Sequence, residues 1–330
     1  MKYRNYRIYG HNLIIILTVI PNCRCHILKR IPCFLLWLLS CQLGFAQDIE
    51  PRRWTDLPMG MNIVGAALVG TDGDIFLDPV LRITDAKFEA YTTATSYIRT
   101  FELFGKASRV DFRLPYTLGR WEGLLNGSEV STRRHGFNDP RIRFSMILAG
   151  APPLKGKEFV EYVRSHPVRT SLGIGLSVTL PLGEYYPDRL INLGENRFII
   201  RPQAGFLHQH GPWQFEVTGL VSLYQDNDEF FGDQTLQQDP LWFVEGHVIR
   251  QFSRGMWGSI SGGYSYGGTT HINGVKTKSD DATRYYALSF GMSLSPHQSV
   301  KIAWVNSDTN VVIGSKNNSL ILSWTMNWMD

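Results

Sequence analysis

Cysteine is missing from most of this chain. Of 330 residues only Cys23, Cys25, Cys33 and Cys41 are cysteine, and none follows Cys41. That absence excludes a disulfide framework and a thiolate metal site from everything after it. Charge is also sparse, at 19% of residues, and 31 glycines accompany it; together these exclude a long coiled coil and a disordered chain. Acid is absent from residues 1–46, which hold six of the 33 basic residues: Lys2, Arg4, Arg7, Arg24, Lys29 and Arg30. The rest keeps 27 basic against 29 acidic residues, a formal −2 where the whole chain shows +4. A slightly acidic body argues against a nucleic-acid partner. Long apolar runs are missing too. No stretch after residue 46 reaches the roughly 18 apolar residues that a spanning helix needs.

What is present begins with a leader. Lys29-Arg30 precedes the apolar run Ile31 to Leu39, and Gly44-Phe45-Ala46 places small residues ahead of Gln47-Asp48. This is the pattern of a secretory signal peptide, with cleavage expected after Ala46. The expected division is a leader over 1–46 and a β-barrel domain over 47–330. A membrane anchor is one rival, and a lipoprotein signal at Leu38-Leu39-Ser40-Cys41 another, although Leu39 is large for that pattern. A further apolar run from Leu13 to Ile20 makes the leader long, so translation is expected to start nearer residue 28.

The body alternates. From Ser171 to Leu180 every second residue is aliphatic, with Ser, Gly or Thr between. Tyr286, Leu288, Phe290, Met292 and Leu294 share one face of their run, as do Leu320, Leu322, Trp324, Met326 and Trp328. The same dyad recurs at Val110–Leu114, Ile142–Leu148, Trp213–Val217 and Val300–Trp304. Weaker runs lie near 61–70, 88–101, 197–207, 242–252 and 256–266. Period-2 alternation means strands with two unlike faces, and about twelve are expected. Several would be about 9–11 residues long, enough to cross a bilayer when tilted. Aromatics at run ends (Tyr185, Tyr186, Trp213, Trp242, Phe243, Trp257, Trp324 and Trp328) suggest interfacial girdles. Lipid leaves no unpaired backbone polar group tolerable, so such a sheet must close. The expected fold is therefore all-β: a closed antiparallel transmembrane barrel. A soluble periplasmic β protein is the rival. Trp328 is followed by Met329-Asp330, whereas such barrels commonly end on an aromatic that the assembly machinery reads.

Charges fall on the other face. Arg109, Asp111, Arg113, Arg141, Arg143, Arg201, Glu216, Glu245, His247 and Lys301 alternate with apolar neighbours. An arginine facing lipid at the midplane costs about 2–4 kcal/mol, so these ten are expected in the lumen. They could be an ion-pair network that stiffens a closed interior. Alternatively, they could be a cationic ladder favouring anionic solutes such as aromatic carboxylates. The polar segment Thr117 to Asn138 is expected to fold into the lumen or stand outside as a loop. Pro152 to Pro167 is expected to hold a short amphipathic helix.

An ordered series of motifs runs along the chain. Tyr97-Ile-Arg-Thr-Phe101, Gly105 and Leu114-Pro-Tyr116 precede Gly136-Phe-Asn-Asp-Pro-Arg-Ile-Arg143. Val178 to Tyr185, Leu190 to Phe198, Asp226-Asn-Asp228, Phe230-Phe-Gly232 and Gln238-Asp-Pro-Leu241 follow. Over roughly 60–328 the series resembles the transporter-like family called "MetA-pathway of phenol degradation". The resemblance implies a Gram-negative outer-membrane barrel that passes small hydrophobic or aromatic solutes inward. Its surroundings would be outer-membrane lipids and the assembly machinery. It transfers no site residues.

Other chemistry is thin. Gly263-Tyr-Ser-Tyr-Gly267 matches the letters of a nucleophile elbow, which requires a strand-to-helix turn around Ser265; an outer-membrane lipase is the enzyme alternative. His208 and His210 share a strand face without a third ligand. Asp226, Asp228, Glu229 and Asp233 lack EF-hand spacing. No nucleotide fingerprint is present, so no cofactor, metal or catalytic residue is expected.

Overall fold

A computed structural model describes residues 49–76, 83–189, 191–278, 281–309 and 314–330. The expected leader, its cleavage after Ala46 and the later start lie outside the described residues.

Twelve strands form one antiparallel sheet that closes on itself. They are β1 (Met61–Phe76), β2 (Ile83–Leu103), β3 (Lys106–Leu125), β5 (Arg141–Ala149), β6 (Val168–Thr179) and β7 (Ile199–His210), followed by β8 (Trp213–Tyr224), β11 (Leu241–Ser253), β12 (Met256–Gly267), β15 (Asp281–Ser293), β16 (Gln298–Thr309) and β17 (Gly314–Met329). The seam joins β1 to β17, in register from Met61 opposite Met329 to Phe76 opposite Gly314. No helix among the described residues is long and apolar enough to cross a membrane.

The two faces of the wall follow from the alternation. On β6, Leu172, Ile174 and Leu176 are exposed on the outside, while Ser171, Gly173, Ser177 and Thr179 point inward. Phe215 and Val217, Leu288 and Phe290, Ile302 and Trp304, and Leu320, Leu322 and Trp324 are likewise exposed outward. In water this belt would be far larger than a soluble monomer tolerates; against hydrocarbon it is the expected surface. The interior mixes Ser, Thr, Gly and charge with apolar side chains such as Phe88, Leu207, Phe243 and Val305.

The two ends differ. At the end holding Met61 and Met329 the connections are mostly tight. Phe104 and Gly105 both take positive φ (53° and 69°), the signs of a type I′ hairpin turn. The exception is the β5–β6 connection, which carries α1 (Gly156–Ser165), an exposed helix with no buried residue. This is the amphipathic helix expected between Pro152 and Pro167. At the other end the connections are long. Four short strands, β9 (Asn227–Phe230), β10 (Gln234–Gln238), β13 (Thr270–Ile272) and β14 (Val275–Lys278), form a second sheet there. It closes around Phe230, Leu236 and Ile272.

Three expectations need correction. Thr117 to Asn138 is neither a loop nor an insert in the lumen. It is the outer part of β3 paired with β4 (Ser128–Phe137), turning at Asn126-Gly127, where both residues have positive φ. A strand that has left the hydrocarbon needs no apolar face, so its sequence reads as polar. Phe243 and Trp257 are not girdle residues. Phe243 is buried inside, and the Trp257 ring lies across Gly291 beneath the Arg52 guanidinium. Tyr185 sits in the β6–β7 connection, bonded through its hydroxyl to Asn227 and to the Glu229 carbonyl. Trp213, Trp242, Trp324 and Trp328 do face outward. After Trp328, Met329 completes the seam, and Asp330 binds the Arg99 guanidinium, the Asn62 amide and the Gly60 carbonyl.

Candidate functional site: the barrel lumen

All ten sequence-expected charges lie on the inner face, and they divide into three groups. Asp111, Arg113, Arg141, Arg143, Arg201 and Lys301 line a cavity of about 610 Å³ in the middle of the barrel. Arg109 lines a smaller pocket of about 40 Å³ near the short-turn end. Glu216, Glu245 and His247 lie beyond both, buried in the wall.

A segment the sequence did not flag explains that division. Residues 49–60 run inside the barrel before β1 begins. The chain turns at Arg52, which takes a φ of 71°. The Glu216 carboxylate accepts the backbone N–H groups of Arg52 (2.7 Å), Arg53 (3.2 Å) and Trp54 (3.2 Å). One wall carboxylate thus satisfies three amides that a buried turn would otherwise orphan. The Trp54 indole donates to Thr218 Oγ1 at 2.9 Å. Its ring lies on Gly173 and Gly205, where an added Cβ would sit 2.4 Å and 1.9 Å from it. Only glycine at those two inward positions leaves room. Inward glycines in a strand are the one sequence signal of such a close approach.

Charges lock the same segment. Arg53 pairs with Glu245 at 2.9 Å and bonds Gln203 at 3.2 Å. Glu50 pairs with Arg143 at 2.9 Å and stands 4.0 Å from Arg113. Arg143 also holds Asp111 at 3.0 Å, and Arg109 approaches Asp111 at 3.3 Å. Burial pushes the Glu50 carboxyl upward, but Arg143, Arg113, Arg53 and Arg109 outweigh it and hold the group well below the usual carboxylate range. His247 bridges Ser261 (2.8 Å) and Glu245 (3.3 Å). Asp56 anchors the segment's far part to Arg169 at 3.0 Å.

The opposite end of the cavity is closed differently. The β6–β7 connection bends inward, and Leu193 packs with Phe88, Ala90 and Trp121, flanked by Ile75 and Ile191. Asp139, in the break between β4 and β5, accepts the N–H groups of Gly183 (2.8 Å) and Glu195 (2.7 Å). Burial pushes its carboxyl up to about 6. Arg197, buried, binds Glu195 and Gln238 and lies over the Tyr224 ring.

The remaining candidates gain nothing here. Ser265 lies inside β12, which continues to Gly267 as strand. The strand-to-helix turn of a nucleophile elbow is therefore missing at that serine, and the lipase alternative is not supported. His208 bonds Thr170 at 2.8 Å, and its ring centroid is 6.3 Å from that of His210. Asp226 and Asp228 bond Gln237 and Thr235 within the outer sheet. Among the described residues no group of three potential metal ligands forms.

Comparison with known proteins adds the setting. The model of a family described as "Putative MetA-pathway of phenol degradation" matches residues 67–312. No curated protein matches the chain. An outer membrane channel from Pseudomonas putida F1 superimposes with a TM-score of 0.69 at 18% identity, over 85% of this chain and 100% of that one. The autotransporter AIDA-I transport unit from Escherichia coli covers 85% of this chain and 94% of its own at 7% identity, with a TM-score of 0.48. A FadL homologue from Pseudomonas aeruginosa covers 82% and 89% at 9% identity, with a TM-score of 0.38. The first likeness establishes the twelve-stranded barrel fold; the other two are too distant to bear on this chain.

Proposed function

From the chain's membership of this phenol-degradation family of Gram-negative outer-membrane barrels, we propose that it is a passive channel for small hydrophobic or aromatic compounds. The observation that carries the reading is the 610 Å³ cavity enclosed by a wall whose outer face is apolar. A closed sheet with lipid outside and a roomy interior lined by both polar and apolar side chains holds space that side chains do not fill. In such barrels the short turns face the periplasm and the long loops face outward. Solutes would enter past the β6–β7 connection and leave past residues 49–60. The Pseudomonas putida relative, an outer membrane channel, supports a channel rather than an enzyme. Assembly by the outer-membrane machinery, reading the aromatic Trp328 ahead of Met329-Asp330, belongs to the same reading.

A second reading has its own observation. Residues 49–60 touch β5, β7, β8 and β11 across the periplasmic half of the lumen, as a permanent plug would. Planar-bilayer conductance and liposome uptake of phenol separate the two. Conductance together with faster phenol entry supports the channel. A reconstituted barrel that never conducts and leaves phenol entry unchanged would establish the plugged scaffold.

A further inference from the structure

On the neighbouring strands β6 and β7 the cavity holds polar donors with no charged acceptor. Arg201 bonds only hydroxyls, Ser222 at 3.1 Å and Thr179 at 2.6 Å, and no carboxylate lies within ion-pair distance of it among the described residues. The Ser177 hydroxyl and the Gln203 Nε2 are buried without a hydrogen-bond partner. Ser177 stands directly opposite Arg201 across the β6–β7 ladder, and Gln203 is the next inward residue along β7. All three line the cavity. Lys301 lines it as well, on β16, in no ion pair among the described residues and attracted only at longer range by Glu50. Buried donors without acceptors are costly and buried cations without counter-charge more so. The missing partner is an anion with more than one acceptor oxygen.

The wall beside these donors is aromatic. Gln203 pairs with Leu220 on β8, and Leu220 pairs with Phe243 on β11, so the three share one rung. Phe243 stands two strands from Gln203, about 10 Å around the wall. It meets Tyr285 edge-to-face at a centroid distance of 5.4 Å. An aromatic pair of that geometry offers a further ring edges and faces to pack on.

We propose that the lumen contains a binding subsite for an aromatic carboxylate. Arg201, Ser177 and Gln203 hold the carboxylate, the Phe243–Tyr285 pair receives the ring, and Lys301 contributes long-range attraction. The site rests on the channel reading and names the solute class within it. It also moves the selective charge. Arg143 is occupied by Glu50 and Asp111, so the discriminating cation is Arg201.

The test is equilibrium dialysis of the purified full-length protein in detergent against benzoate, benzyl alcohol and acetate. Benzoate should bind saturably and more tightly than acetate or benzyl alcohol. Arg201→Gln should weaken benzoate at least tenfold and leave benzyl alcohol unchanged. Ser177→Ala, a mild change on the same wall, should weaken benzoate a few-fold, and Phe243→Ala should narrow its advantage over acetate. A heat-modifiability gel checks that each variant is folded. Benzoate binding that survives Arg201→Gln and Ser177→Ala, acetate binding as tightly as benzoate, or no saturable benzoate binding would each overturn the subsite. Neutral phenol flux through liposomes reports on the channel itself. Flux with no benzoate site ends this inference alone, and absent flux ends the channel reading.

Discussion

The floor and the roof of the cavity do the same job with opposite chemistry. The floor is a stretch of chain laid across the lumen and pinned by charge: Glu50, Arg53, Arg143, Glu216 and Glu245, with Trp54 seated on two glycines. The roof is a loop between wall strands, held by the packing of Leu193 on Phe88 and Trp121 and by one carboxyl, Asp139. The roof joins wall strands at both of its ends. The floor, ahead of β1, is held by side-chain contacts to the wall, and the buried charges concentrate there. Breaking one partner of such a buried pair is expected to cost about 3–5 kcal/mol, whereas the roof depends on the area its apolar side chains cover.

The comparison breaks most sharply at the glycines. Gly205→Val puts side-chain carbon where the Trp54 ring lies. It should expel the segment and raise single-channel conductance several-fold, with the barrel still heat-modifiable; unchanged conductance would mean the segment does not obstruct the path. Glu216→Ala removes the acceptor of three backbone amides. It should give a smaller rise, with frequent transitions between open and closed levels in bilayer recordings. Leu193→Ser, at the roof, should accelerate hydrogen exchange across 180–198 and change conductance less than either floor variant. If it changes conductance more, the roof is the tighter constriction.

Acidity distinguishes the two ends more finely. The Asp139 carboxyl is raised to about 6 by burial. A group raised in the folded state adds stability as pH falls through that value, so the roof should tighten between pH 7 and pH 5. Glu50 is held low by its arginines. Its contribution is complete above about 4.3, the ordinary value for glutamate, and is lost as pH falls further toward its depressed value. Hydrogen exchange, corrected for intrinsic rate, should show slower exchange in 180–198 at pH 5 with no change in 49–60. Asp139→Asn should abolish the roof's response.

Much of the wall was legible because one residue of register decides everything in a strand. Val110, Phe112 and Leu114 could face lipid only if Arg109, Asp111 and Arg113 faced inward, and the cost of lipid-facing arginine settled which way. What was not legible is whatever lacks a period. Pro51-Arg52-Arg53-Trp54 reads as an ordinary polar approach to the first strand. Its meaning lies in Glu216, Thr218 and Glu245, which are far off in sequence. The ten inward charges were readable as a set, but the seating of several of them, though not Arg201, against the floor was not. That seating depends on Glu50 and Arg53, which no alternation marks. Thr117 to Asn138 was misread for the converse reason, since the outer part of β3 and β4 is strand without lipid to impress an alternation on it.

Trp54 and Thr218 are separated by 164 residues, and the three amides bound by Glu216 by about as many. Contacts that distant in the chain form late, because the intervening loop must close first. The seam of β1 with β17 spans more residues still, from Met61 to Met329. By the same rule the segment should find Glu216 and Thr218 once β8 has formed and before the wall closes. A barrel that seats its floor before it closes never presents an open bore to the membrane that receives it.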